Sequence, residues 1–183
     1  MKTFPTLHGE RLLLNQLEVA DIPAIIEQAG HAQIAATTAT IPHPYYEKDA
    51  IHWIDIARQG FQREEHYIFA IREKEQQKFI GGIELRINKT DERASLGYWV
   101  AVPFWNKGYA TEATSVLLKF GFEVLHLNKI HAIHLIENPA SGKVLLHNGM
   151  RQEGILKEHL KQKGAFKTIV QYGLTRSDFK PSL

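Results

Sequence analysis

The sequence predicts an α/β protein whose sheet is mixed and mostly antiparallel. Three stretches predict it. Residues 94 to 125 read as a strand, a tight turn and an amphipathic helix in direct succession. His66 to Arg72 and Phe79 to Ile87 alternate in the way of strands and are joined by the polar Glu73 to Lys78, a hairpin signature. Ile155 to Lys161 and Thr168 to Thr175 repeat that signature around Lys163-Gly164.

Along the chain, Leu7 to Leu17 contains a first strand at Glu10 to Leu14. A helix opens at residues 19–23, with Asp21 as its expected cap and Pro23 in its first turn, and continues to Gly30. Residues 31–46 are less regular and end in Ile41-Pro42-His43-Pro44-Tyr45-Tyr46, whose prolines forbid regular helix. Aromatic side chains on such a loop either line a site or anchor the loop to the core. Glu47 to Phe61 reads as a second helix, with Ala50, Ile54, Ala57 and Phe61 on one stripe, Trp53 beside it, and acidic residues in the first turn that suit the helix dipole. Gly81-Gly82, inside the strand that follows, predicts a bulge or a close backbone approach.

The central strand sets Leu96, Tyr98, Val100 and Val102 on one face and Ser95, Gly97, Trp99 and Ala101 on the other. Both sets are apolar or small, which fits a strand covered on both faces and ended by Pro103. From Ala110 the apolar positions fall at 110, 113, 117, 120 and 124, a helical stripe. Lys129 to Glu137 is a further strand, and a short helix runs from Asn138 until Asn148-Gly149 stops it.

Composition narrows the function. With 183 residues and 44% hydrophobic, the chain suffices for one core and one domain, expected to span 1–183. A net charge of +2 gives no electrostatic case for nucleic acid. The absence of cysteine removes disulfides and a thiolate nucleophile. No apolar run approaches the length of a membrane span, and Met1-Lys2-Thr3-Phe4-Pro5 lacks a signal-peptide core, so a cytoplasmic location is expected. Ten histidines form no ligand pattern such as H-E-x-x-H; His131 and His134, three apart on a strand, fall on opposite faces. No metal is expected.

The join between central strand and helix has a chemical use. A helix start presents free N–H groups and the positive end of the macrodipole, which suits an anion. Gly108 admits close approach to the backbone, Lys107 adds charge, Ala110 and Thr111 leave the first turn uncrowded, and Asn106 tolerates positive φ. A diphosphate fits this chemistry, and neither G-x-G-x-x-G nor G-x-x-x-x-G-K-[ST] occurs to suggest a nucleotide loop instead.

Trp105-Asn106-Lys107-Gly108-Tyr109-Ala110-Thr111-Glu112-Ala113 resembles the acetyl-CoA pyrophosphate loop of the GNAT superfamily of N-acetyltransferases, with Trp105 where the family usually has Arg or Gln. Gly97-Tyr98-Trp99, the opening Glu10-Arg11-Leu12, the run from Asn138 through Gly149 to Glu153-Gly154, and Gln171 to Phe179 resemble the RimJ/RimL branch, whose named members acetylate the N-termini of ribosomal proteins. The resemblance covers almost the whole chain and implies a GNAT fold in which two parallel strands splay apart to hold CoA. It assigns CoA contacts to the backbone of Val100, Ala101 and Val102, to Asn106, Lys107, Gly108, Tyr109, Ala110 and Thr111, and to Asn138, Ser141 and Lys143. The tyrosine that many GNATs use as acid for the leaving thiolate is absent, its place taken by Leu145.

The expected reaction is direct attack of an amine on acetyl-CoA, with no metal. An α-amine, with a pKa near 7.7 to 8.0 against about 10.4 for lysine, is easier to deprotonate by roughly 3.5 kcal/mol, so a weak base or a water suffices for an N-terminal substrate. Glu84, alternating away from Phe79, Ile83 and Leu85, either orders that water or is a solvated carboxylate near Arg86. Ser141 is either a donor to the thioester at a helix N-terminus or a helix cap. The acceptor is expected to be a protein N-terminus, with small amines, polyamines and antibiotics as alternatives. A CoA-binding protein that has lost catalysis is the rival class, favoured by a central strand with no carboxylate or histidine. The assembly is expected to be a monomer or homodimer.

Overall fold

The computed structural model describes residues 2–180, so the expected domain ends, 1 and 183, lie outside the described residues. The first strand is a small hairpin: Leu7–His8 (β1) and Leu12–Gln16 (β2) pair antiparallel, turning at Gly9, whose N–H donates to the Leu12 carbonyl at 2.9 Å. Helix α1 (Ile22–Ala29) follows a 3₁₀ turn. Asp21 is not its side-chain cap. Its carboxylate instead accepts from the Glu18 N–H at 2.8 Å and from Arg72 Nη1 and Nη2 at 2.8 and 2.7 Å, a buried pair that ties the helix to the sheet. Within the irregular stretch the chain forms α2 (Ala32–Thr37). Ile41 and Tyr45 pack against the core, the anchoring role, while Tyr46 is exposed. Helix α3 (Glu47–Gln62) buries Ala50, Ile54 and Ala57 as its stripe predicts.

His66–Glu73 (β3), Lys78–Asn88 (β4) and Arg93–Val100 (β5) form the antiparallel meander. Helix α4 (Tyr109–Lys119), Lys129–Leu135 (β6), α5 (Pro139–His147), Arg151–Gln162 (β7) and Ala165–Thr175 (β8) complete the chain. Among the described residues eight strands lie in the order β1-β2-β3-β4-β5-β6-β8-β7, and of these the β5–β6 pair alone is parallel.

Each sheet face has its own core. Leu85, Leu96, Ile130 and Leu174 meet Leu117 and Phe120 of the central helix on one side. Ile68, Ala70 and Trp99 meet Ile25, Ile54 and Ala57 of α1 and α3 on the other. Truncating a fully buried leucine such as Leu117 costs about 2–5 kcal/mol. The predicted bulge falls at Ile80, where Ile71 pairs with Gly81 and Arg72 with Phe79. One inserted residue reverses the alternation, so Phe79 lies against Trp99 on the same face as Glu84, not opposite to it. Gly81 is required by close approach, since a Cβ there would sit 2.2 Å from the Trp99 carbonyl oxygen.

Two ends differ from the sequence pattern. Beyond Lys119 the helix widens into a π turn over Phe120–Val124, closed by Leu125 N–H to the Phe120 carbonyl at 3.1 Å, and this rotates Val124 out to solvent. The central strand stops at Val100. With Pro103 pre-set for a turn, Val102–Phe104 winds into 3₁₀ geometry, and Val102 is not in the strand.

Candidate active site

The parallel ladder runs only from Arg93–Leu96 against Lys129–Ala132. After that, β5 continues to Val100 and β6 to Leu135 without pairing to each other, so the strands part. Ala101 turns its N–H to β4, donating to the Ile80 carbonyl at 2.8 Å, and so leaves the gap. Val100, one residue back, faces the gap, and its carbonyl accepts from the Trp105 indole N–H at 2.6 Å. Of the stretch Val100 to Val102, Val100 is therefore the residue with backbone on the gap.

At the top of β5 the loop is shaped for an anion. Asn106 and Gly108 hold left-handed conformations, φ 60° and 80°. Among the described residues no backbone carbonyl takes the N–H groups of Asn106 through Thr111, which lead into the first turn of α4. Asn106, Lys107 and Gly108 are exposed and Ala110 and Thr111 half-buried. Tyr109 contributes backbone only, because its ring is buried and its hydroxyl donates to Glu73 at 2.7 Å. Arg11, which the sequence did not single out as a site residue, braces the loop from β2's turn. Its guanidinium donates to the Lys107 carbonyl at 3.0 Å and to Glu112 at 2.9 Å and stacks 4.6 Å over the Tyr109 ring. A Cβ on Gly108 would lie 3.3 Å from its Nη2, so a second cation stands beside the free N–H groups.

The gap itself is spanned by two hydroxyls. Tyr98 of β5 reaches the first turn of α5, where its Oη and Ser141 Oγ are 2.6 Å apart. Burial pushes the Tyr98 phenol up to about 12, so it stays protonated through neutral pH. Ser141 is not the cap of α5. Asn138 is, accepting from the Ser141 N–H at 3.4 Å while its own amide donates to the Thr37 carbonyl at 3.4 Å. Ser141 Oγ is thereby left to the gap. His134 lies below on the same face, with Nδ1 bonded to the Leu135 carbonyl at 2.7 Å and its buried Nε2 turned toward Gly142. Lys143 is exposed on the outer side of the helix turn.

On the opposite sheet face, Glu84 is not simply solvated beside Arg86. One carboxylate oxygen bonds His66 Nε2 at 2.9 Å, and the other lies over Gly97, where a Cβ would approach it to 3.3 Å. Gly97 is the first residue past the last parallel pair. Trp53 covers Gly82 next to it, within ring contact of Trp99. No group of three or more His, Cys, Asp or Glu placed to hold a metal occurs among the described residues. No helix there is long and apolar enough to cross a membrane.

A family profile described as "Acetyltransferase (GNAT) domain" matches residues 11–151, which include the loop, the splayed pair and α5. The chain belongs to this GNAT acetyltransferase family. Among curated relatives it is 29% identical to the uncharacterized N-acetyltransferase p20 of Bacillus licheniformis, over 95% of this chain and 98% of that one. Among solved structures, this GNAT domain superposes on Mycobacterium smegmatis RimJ in complex with CoA-disulfide with a TM-score of 0.89, at 22% identity, covering 98% of this chain and 91% of the other. It superposes on spermidine N-acetyltransferase from Vibrio cholerae, in complex with CoA and spermine, with a TM-score of 0.79, at 22% identity and 93% and 98% coverage. The chain is thus an N-acetyltransferase of GNAT type, with a mostly antiparallel sheet broken by one splayed parallel pair.

Proposed function

We propose that residues 1–183 act as one GNAT domain that moves the acetyl group of acetyl-CoA to the α-amine of a protein N-terminus, of the kind found on ribosomal proteins. The observation that carries this reading is the parting of β5 and β6 after Leu96 and Ala132, with the Tyr98–Ser141 hydroxyl pair set in the gap. The free N–H groups of Asn106 to Thr111, with Lys107 and Arg11 beside them, suit the diphosphate. The Val100 backbone on the open edge suits an amide-bearing arm in place of a strand partner, with Asn138 at the N-terminus of α5 as a further polar contact for it and Lys143 as an exposed cation one turn on.

The chemistry follows from the two faces. Attack of the amine nitrogen on the thioester carbon forms the C–N bond and sheds one N–H proton, for which the Glu84 carboxylate over Gly97 is the acceptor, directly or through one water. The C–S bond then breaks. Ser141, held by Tyr98, donates a hydrogen bond to the sulfur as charge develops there, and a thiol pKa near 8.5 lets the thiolate leave without a stronger acid. The branch resemblance of Gly97-Tyr98-Trp99 favours the N-terminal acceptor. The fold it shares with a spermidine acetyltransferase supports a polyamine as the second reading. Acetyl-CoA turnover against peptides with free N-termini, the same peptides blocked but carrying lysine, and spermidine tests both. N-terminal peptides are expected to turn over best; a preference for spermidine would replace the acceptor, and no CoA release with any amine would overturn catalysis.

A further inference from the structure

We propose that His66 is a positioning residue that aims the Glu84 carboxylate at the splay point; the inference rests on Glu84 serving as the base. His66 on β3 and Glu84 on β4 are diagonal neighbours in the antiparallel register, which pairs His66 with Arg86 and Ile68 with Glu84. His66 is buried, and its Nε2 meets only one of the two carboxylate oxygens, at 2.9 Å. An ionised carboxylate can only accept, so Nε2 carries the hydrogen. The other oxygen is left over Gly97, at the gap, with the Arg86 guanidinium 3.8 Å away.

One glycine makes room for this arrangement: at Gly97 a Cβ would crowd the carboxylate, coming within 3.3 Å of Glu84 Oε1. Gly60 of α3 serves the helix–strand contact beside it, since a Cβ there would fall 2.4 Å from the His66 Cβ and 3.1 Å from its carbonyl oxygen. A base needs its free oxygen held in direction, and the buried His66 imidazole holds the other one.

The other charged groups around the pair are Arg86 on β4 and, along an open groove of about 590 Å³ that His66 lines, Arg63, Glu65 and Lys89. Strand β5 presents neutral Ser95 and Gly97 to it, opposite Arg86 and Glu84, and α3 presents Ile56, Gln59 and Gly60. Nothing else in this set bonds the carboxylate within 3.5 Å, so His66 makes its one short contact, with Arg86 farther off at 3.8 Å from the other oxygen.

The test uses His66→Leu, His66→Gln and Glu84→Gln in the full chain, with steady-state kinetics, CoA calorimetry and thermal melting. His66→Leu is expected to lower kcat about tenfold, part of the hundredfold or more that a base supplies, with KM for acetyl-CoA and CoA affinity unchanged. His66→Gln, whose amide nitrogen can reach the same oxygen, is expected to restore most of that loss. Glu84→Gln combined with His66→Leu is expected to be no slower than Glu84→Gln alone. If Glu84→Gln is impaired but His66→Leu keeps its kcat, or if Gln and Leu are equally slow at 66, the positioning role is overturned and the base stands. If Glu84→Gln keeps full kcat, the base and its positioning residue fall together, while CoA affinity reports separately on the cofactor site.

Discussion

Replacing Tyr98 by Phe removes one hydroxyl and keeps the ring that packs in the core. In the native protein that hydroxyl bonds Ser141 Oγ at 2.6 Å, so the substitution leaves a half-buried serine unpartnered. A lost hydrogen bond of this kind costs about 1 kcal/mol net, rising to 1–3 kcal/mol if the remaining group stays dry. Ser141→Ala removes the other end, and Tyr98→Phe/Ser141→Ala removes both, so the cycle should show a coupling of about 1 kcal/mol in thermal stability. The kinetic cycle reads a different quantity. Ser141→Ala should lower kcat by tens to hundreds of fold, on the scale of a lost donor to developing charge, with KM for acetyl-CoA little changed. Tyr98→Phe should lower kcat less, because Ser141 keeps its hydroxyl, and should cost almost nothing once Ser141 is alanine. Equal and additive losses in the two single variants would refute a shared hydroxyl clip. Full kcat in Ser141→Ala would show that the thiolate leaves unaided. The high phenol value adds a pH signature. Unfolded tyrosine ionises near 10 and Tyr98 near 12, so its contribution is complete below pH 10 and is lost as pH rises from 10 to 12. Two units correspond to about 2–3 kcal/mol, and Tyr98→Phe should be flatter than wild type in alkaline melting over that window.

Lys107→Glu sets a negative charge beside the free N–H groups, and Gly108→Val puts a β-branched residue at φ 80° and blocks backbone approach; both should weaken CoA binding severalfold or more by calorimetry, with the fold intact by circular dichroism. Unchanged affinity in both would remove the diphosphate from this loop. Asp21→Asn strips the counter-charge from buried Arg72 and should cost about 3–5 kcal/mol in urea unfolding with the m-value unchanged, whereas a loss below about 1 kcal/mol would show the pair to be solvated.

Periodicity carried the hairpins, α3 and the start of α4, because each buries one face over several turns or strand repeats. It could not carry single-residue events. The bulge at Ile80 reversed Phe79 against Glu84, and the π turn after Lys119 turned Val124 outward; each is one residue of slip, with Gly81-Gly82 as the only prior sign of the first. Asp21 had the residue type and place of a cap, but Arg72, 51 positions away, claimed its oxygens. The turn between the central strand and α4 was legible because its cues are local: Asn106 and Gly108 both take the left-handed conformation such a turn needs. Tyr98–Ser141 and His66–Glu84 join side chains 43 and 18 residues apart, and no spacing rule links them. The readable trace of the second pair was the glycine in a strand at Gly97.

Trp105 gives the open strand edge a consequence beyond this chemistry. Wherever two strands part inside a sheet, they expose unpaired amide and carbonyl groups, a template for any extended segment of another chain. The Trp105 indole shields that template at Val100 by occupying its carbonyl with a group that cannot propagate a ladder. The proposed cofactor arm would trade one hydrogen bond for another there. An invading strand would have to displace the ring and then find α5 standing over its path. The expected consequence is that Trp105→Ala aggregates faster than wild type when CoA is withheld and no faster when CoA is saturating, as light scattering would show; equal rates without CoA would refute it.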